Sequence, residues 1–298
     1  MEQRRIFNPT GACSATALSA LRRTPQALML AIITFALTPF IGDAHATKLV
    51  GHRAHYSLGP GHFSNGGDFT GVSGNMELSL EVDCNGWVMS QTLQMNLQLA
   101  NGNEVRQFHR YSGRESEDGT RYDFSSSSQM GGVLEEFRGR AIMDPAGSSG
   151  SVGAGNAVFR IPEGQKIPLP NNTRFPLGHT RYLIDRASAG DRLAAATVFD
   201  GADDGGAQEV SAFIGRKQLA RDVIGKDVVL ALGPLADGSG WKIRMAFYKL
   251  DSQQAIPEYE VEALQLENGV APWLLLDYHD FSVVLKMNKL EEILPPKC

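Results

Sequence analysis

The sequence predicts a mainly β protein, one large antiparallel sheet of about a dozen strands with a single amphipathic helix. Three observations point there: repeated two-residue alternation of apolar and polar side chains, turn-forming residues between those runs, and one isolated segment with helical spacing.

In the first clear run, Met76, Leu78, Leu80 and Val82 alternate with Glu77, Ser79, Glu81 and Asp83, a phase that continues to Cys84 and turns its thiol inward. The turn Asp83-Cys84-Asn85-Gly86 leads to a second run, with Leu93, Met95, Leu97 and Leu99 against Gln94, Asn96 and Gln98, so a hairpin is expected. Another hairpin follows, with Glu104 to Ser116 and Thr120 to Gln129 flanking Glu117-Asp118-Gly119. Arg121, Asp123 and Ser125 alternating with Tyr122 and Phe124 give it one wet face. Strand signals recur at Val152 to Ile161, Leu193 to Phe199, Val210 to Leu219 and Val223 to Leu232. They continue in the phases of Ile243, Met245 and Phe247, of Tyr259, Val261 and Ala263, and of Phe281, Val283, Leu285 and Met287.

The helix is expected from Pro176 to Ala189. Thr180, Leu183, Ile184 and Ala187 recur at helical spacing, Pro176 suits a first turn and Gly190 suits a C-terminal stop. Such a helix must lay its apolar stripe on the sheet, either as a plug that completes the core or as one wall of an apolar cleft.

The N-terminus reads as an export signal. Arg4, Arg5, Arg22 and Arg23 precede an apolar run from Ala27 to Ile41, and Ala44-His45-Ala46 suits cleavage between Ala46 and Thr47. A membrane anchor fits less well, since a run of about 15 residues covers only ~23 Å of a ~30 Å hydrocarbon core. Residues 1–46 are therefore a signal peptide, and 47–298 one β domain in an oxidising compartment outside the cytosol. Losing four basic residues and two acidic ones (Glu2, Asp43) of the 28 and 33 leaves 24 against 31, a net charge of −7. No Lys/Arg cluster follows Thr47, so nucleic acid is not an expected partner. The Asp144–Ser151 stretch is short and reads as a loop rather than a linker.

Cys13 leaves with the signal, and the mature chain keeps Cys84 and Cys298. An even count outside the cytosol suggests one disulfide, with two free thiols or an intermolecular pair as alternatives. Redox catalysis would want Cys-x-x-Cys.

Catalytic and metal motifs mostly fail. Ser239-Gly240-Trp241-Lys242 has Ser-x-x-Lys spacing but lies before a strand rather than at a helix start. Gly153-Ala154-Gly155 lacks the third glycine of a dinucleotide loop. His52, His55 and His62 invite a metal, yet His52 and His55 face opposite sides of a strand. No cofactor or metal site is expected. His179, Asp277, His279 and Asp280 could form an acid/base set, though spacing alone does not bring them together.

The ordered motifs nevertheless resemble one family. They open with His52-Arg53-Ala54-His55-Tyr56-Ser57-Leu58 and Cys84-Asn85-Gly86-Trp87, and continue with Phe175-Pro176-Leu177-Gly178-His179-Thr180, Ala187-Ser188-Ala189-Gly190 and Val198-Phe199-Asp200-Gly201. Pro257-Glu258-Tyr259-Glu260, Asn268-Gly269-Val270 and Asp277-Tyr278-His279-Asp280-Phe281-Ser282 close the series. The chain resembles the cell envelope integrity EipB family of periplasmic proteins, found in bacteria with two membranes. The resemblance implies an antiparallel sheet coiled into a spiral or broken barrel, a helix on its inner face, and a disulfide joining Cys84 to Cys298. It also implies a role in envelope integrity, a likeness to lipid- and lipoprotein-handling folds, and a link to periplasmic tetratricopeptide-repeat proteins. It brings no catalytic residues. The chain departs from the family pattern in a Gly-rich insert from Gly59 to Gly74, read as a loop, and in ending directly on Cys298.

Two functions are then expected in competition. The favoured one is a non-catalytic periplasmic factor, peripheral to the membrane at most, that binds a lipid or glycolipid or a protein partner in a cleft lined by Phe175, His179, Leu183 and Ile184. The alternative is a periplasmic hydrolase of envelope polymers with His179 as acid/base.

Overall fold

The computed structural model describes residues 48–145, 152–251 and 255–298. The expected signal peptide, the cleavage point at Ala46 and Thr47, and most of the Asp144–Ser151 loop lie outside these residues.

The chain alternates strand and turn in a long meander. Its first half contains β1 (His52–Phe63), β2 (Phe69–Asp83), β3 (Gly86–Leu99), β4 (Glu104–Ser116), β5 (Arg121–Met130), β6 (Val133–Met143), β7 (Gly155–Ile161) and β8 (Lys166–Leu169). After α1 (Pro176–Ser188) come β9 (Leu193–Val198), β10 (Gln208–Leu219), α2 (Ala220–Ile224), α3 (Lys226–Leu232), β11 (Ser239–Lys249), β12 (Tyr259–Leu266), β13 (Trp273–Asp277) and β14 (Phe281–Glu292). All fourteen described strands belong to one sheet, ordered β8-β7-β6-β5-β4-β3-β2-β1-β14-β13-β12-β11-β10-β9. Every ladder is antiparallel, including β1 with β14, which sets the two ends of the described chain side by side in the middle of the sheet.

The two sheet edges, β8 and β9, are neighbours in sequence, and α1 lies on the connection between them. The sheet does not close there by a full ladder. Arg174 makes a single parallel bridge to Val198, with its N–H donating to the Thr197 carbonyl at 2.8 Å and its own carbonyl accepting from Phe199 N–H at 3.0 Å. The curl of the sheet also shows in its core. Leu80 and Trp87 from one half share an apolar cluster with Ala212, Ile214, Trp241 and Ile243 from the other, and Leu177, Leu183, Ile184 and Ala187 of α1 fill the space between them. The helix therefore packs on the inner face of a broken barrel, as the alternation and helical spacing together require.

Three expectations need correction. Val223 to Leu232 reads as a strand because it is rich in β-branched residues, but it forms α2 and α3, broken at Gly225 (φ 87°). Val229 and Leu232, three apart, are buried in a cluster with Ala220, Leu264, Leu266 and Val270, so tertiary burial overrides strand propensity and the helix is not single. Gly59 to Gly74 is no loop, since most of it continues β1 and β2. Beyond the Leu58–Gly74 pair the two strands part, β1 following β14 and β2 following β3. Cys84 does not point inward either. The Asp83–Gly86 pair ends the ladder, so Cys84 and Asn85 form an exposed two-residue loop, held by an Asn85 N–H bond to Asp83 Oδ1 at 2.8 Å. From that loop Cys84 is bonded to Cys298, 214 residues away, with Cα atoms 5.6 Å apart. Strands β6, β8 and β13 carried no recognised signal. β8 has only four residues, too few for its alternation to stand out, and all of β13 is half-buried, so it lacks the alternation of a strand with one wet face.

Candidate functional site

The site begins at the N-terminus of α1. The four first N–H groups of a helix need partners, and here the residue at the cap position, Phe175, has no side chain able to supply one. Glu115 of β4 does so instead. Its Oε2 accepts from Leu177 N–H at 3.0 Å and its Oε1 from Gly178 N–H at 2.9 Å. Glu115 is 4% exposed. Burial pushes its carboxyl up to about 7, against the opposing pull of the two N–H bonds and the Arg181 guanidinium. Gly178 leaves the space this requires, because a Cβ there would stand 2.9 Å from Glu115 Oε1. The helix ends at Ala189, whose N–H donates to Asp185 O, and Gly190 follows at φ 89°. Outside this cap lies a polar cleft of about 360 Å³ bordered by Glu115, Glu117, Asp118, Arg174 and Arg181.

On the inner side of the same helix turn is a second cavity, of about 260 Å³ and mainly apolar. Pro176, Leu177 and Thr180 form its helix wall, and the sheet adds Met76, Leu80 and Met89 from one half and Met245, Leu276 and Leu285 from the other. Among the described residues, no Asp, Glu, Lys or Arg lines it. None of the four residues expected at a cleft, Phe175, His179, Leu183 and Ile184, lines this apolar cavity. Leu183 and Ile184 are 4% and 2% exposed and bind the helix to the sheet cluster, while Phe175 borders the polar cleft and stacks on Tyr122 at 4.9 Å. His179 is buried on α1. Burial, with Arg174 nearby, drives its imidazole down to about 4, so it is neutral at pH 7.

The acid/base set is not assembled. His279, at φ 70° in the β13–β14 turn, directs Nε2 to the Pro257 carbonyl at 2.7 Å, and Asp277 Oδ1 accepts its N–H. These groups fix their own turn, whereas the charge acting on His179 is Arg174. A Ser–His contact does occur nearby, with Ser282 Oγ 2.7 Å from His62 Nδ1. Ser282 is 1% exposed and also accepts the His62 N–H, so it ties β1 to β14 and is closed to a substrate. Among the described residues there is no group of three His, Cys, Asp or Glu side chains placed to hold a metal ion.

Other ordered motifs have structural reasons. The Asp200 carbonyl accepts from the Tyr111 and Tyr122 hydroxyls at 2.9 and 3.2 Å. Gly201, at φ 68°, lies so close to the Phe124 ring that a Cβ would collide with it. Phe199 packs edge-on against Phe124 at 5.4 Å. Of the cavity-lining polar residues, His52 draws notice in the sequence only as a metal candidate and as part of a family motif, and Gln91 and Gln265 give no signal, because each sits singly on an otherwise apolar or mixed strand phase.

A model of the EipB-like family matches residues 43–294 of this chain. The Cell envelope integrity protein EipB of Brucella abortus (strain 2308) is 25% identical over 255 residues, covering 83% of this chain and 86% of that protein. Among solved structures, a β-barrel-like protein of a domain of unknown function from Brucella abortus superposes with a TM-score of 0.74 at 22% identity, covering 84% of this chain and all of the other.

Proposed function

Because the chain belongs to the EipB-like family, we propose that it supports cell-envelope integrity as a non-catalytic periplasmic factor holding an apolar ligand in the cavity beneath α1. The observation that carries this reading is the cavity itself. It is a concave, mainly apolar chamber between the first turn of α1 and both halves of the curled sheet, with a few polar groups on its wall. The name of the Brucella relative supports the envelope role, and export by the expected signal would place the protein there. Catalysis draws no support from the geometry. His179 is buried and neutral with the Arg174 cation acting on it, and the Ser282 hydroxyl, 1% exposed, is itself buried against His62.

The test is mass spectrometry of protein released gently from the periplasm. A bound lipid or other apolar compound is expected in the wild type and is expected to be lost from Ala263→Trp, which fills the chamber from β12. Empty wild-type protein would overturn the reading, as would a ligand that Ala263→Trp retains.

A further inference from the structure

The polar groups on the cavity wall restrict what it can hold. His52 is 2% exposed and lines the chamber, and its Nδ1 lies 2.9 Å from the Val50 carbonyl. A carbonyl only accepts, so Nδ1 carries the proton and Nε2 is left as an acceptor. No described residue donates to that Nε2. Gln91 also lines the chamber, and its side-chain amide makes no hydrogen bond to a described residue. Gln265 sends Nε2 to the Leu266 and Val270 carbonyls at 3.4 and 3.5 Å and keeps Oε1 as a further acceptor. Tyr56 and Thr180, the hydroxyl-bearing residues of the wall, spend their protons on the Ala271 and Pro176 carbonyls. The wall thus offers acceptors without a partner, the Gln91 amide as its free donor, and no charged side chain.

We propose that the chamber selects an uncharged, single-chain amphiphile carrying a hydroxyl group, with the hydroxyl donating to His52 Nε2. This rests on the apolar-ligand reading above and names its substrate class. At about 260 Å³ the space lies just under the ~300–1,000 Å³ usual for ligand pockets, so it suits one chain rather than two. A carboxylate or phosphate would lose its hydration with no cation on the wall to replace it. A pure hydrocarbon would leave the His52 acceptor dry and unpaired.

Isothermal titration of delipidated full-length mature protein with 1-octanol, octyl methyl ether and octanoate at pH 8 tests this. The alcohol is expected to bind at least tenfold more tightly than either of the others. His52→Phe, or His52→Leu where the first fails to fold, is expected to remove that preference while keeping the affinity for the ether. Equal affinities for all three, or a preference for octanoate, would overturn hydroxyl selection and leave the apolar-ligand reading standing. Absence of binding by all three would overturn both.

Discussion

Glu115 Oε1 stands 2.9 Å from the backbone nitrogen of Gly178, so a side chain of β4 caps a helix 63 residues later in the chain. That bond couples the wall of the sheet to the helix turn that roofs the chamber, and four predictions follow from it and its neighbours.

The carboxyl of Glu115 is raised by burial from its ordinary value to about 7. Between roughly pH 4.5 and 7 the folded state therefore holds a proton that the unfolded state has released, and stability falls as pH rises through that window. The full shift corresponds to about 3 kcal/mol. Glu115→Gln should flatten this slope in urea titrations at stepped pH. An unchanged slope would show that Glu115 is ionised throughout.

Glycine inside a helix ordinarily costs about 1 kcal/mol relative to alanine. At position 178 the sign should reverse, with Gly178→Ala losing about 1–2 kcal/mol, because its Cβ would press on the Glu115 carboxylate. In a Glu115→Ala background the same change should become neutral or stabilising. Chemical denaturation of the four proteins in that cycle measures it.

The Cys84–Cys298 bond closes a loop of 214 residues, for which chain entropy allows about 5 kcal/mol, an upper figure. Cys84→Ser should lower the melting temperature by several degrees, and adding Cys298→Ser should change little more, since both remove one constraint. Additive losses in scanning calorimetry would mean that the two thiols act separately.

His179 shows the opposite linkage to Glu115. Its imidazole is held down to about 4, so the unfolded state takes up a proton first as pH falls below about 6.5, and stability drops between there and pH 4. His179→Leu should flatten that acid limb. A variant that keeps the limb while losing a measurable hydrolytic turnover would restore the catalytic reading of this histidine.

Much of the fold was legible because one face of most strands is wet. The hairpins at Asp83–Gly86 and Glu117–Gly119 and the helix at Pro176 follow from alternation and turn chemistry, which are local. What escaped was set by distant contacts. The run from Val223 to Leu232 is helical because Val229 and Leu232 meet Leu264 and Leu266, and Cys84 is exposed because the Asp83–Gly86 pair ends its ladder. The chamber was hidden for the same reason. Its wall draws single residues from strands far apart in sequence, and the helix residues with the strongest periodicity, Leu183 and Ile184, are consumed in packing. Family resemblance supplied the coiled architecture, and the cysteine count together with that resemblance pointed to Cys298 as the partner of Cys84, which periodicity alone leaves open.

The meeting of Arg174 with β9 makes the ring unequal around its circumference. Parting any two laddered strands would break a row of bonds, but parting the described chain at this point breaks two backbone bonds, those linking Arg174 with Thr197 and Phe199. The sulfur link and the β1–β14 ladder brace the opposite arc. What holds the seam at Arg174 is side chains instead: Phe199 packs against Phe124 and Phe159, and the Asp200 carbonyl takes the Tyr111 and Tyr122 hydroxyls, so the circle is completed by aromatic packing where a ladder is missing.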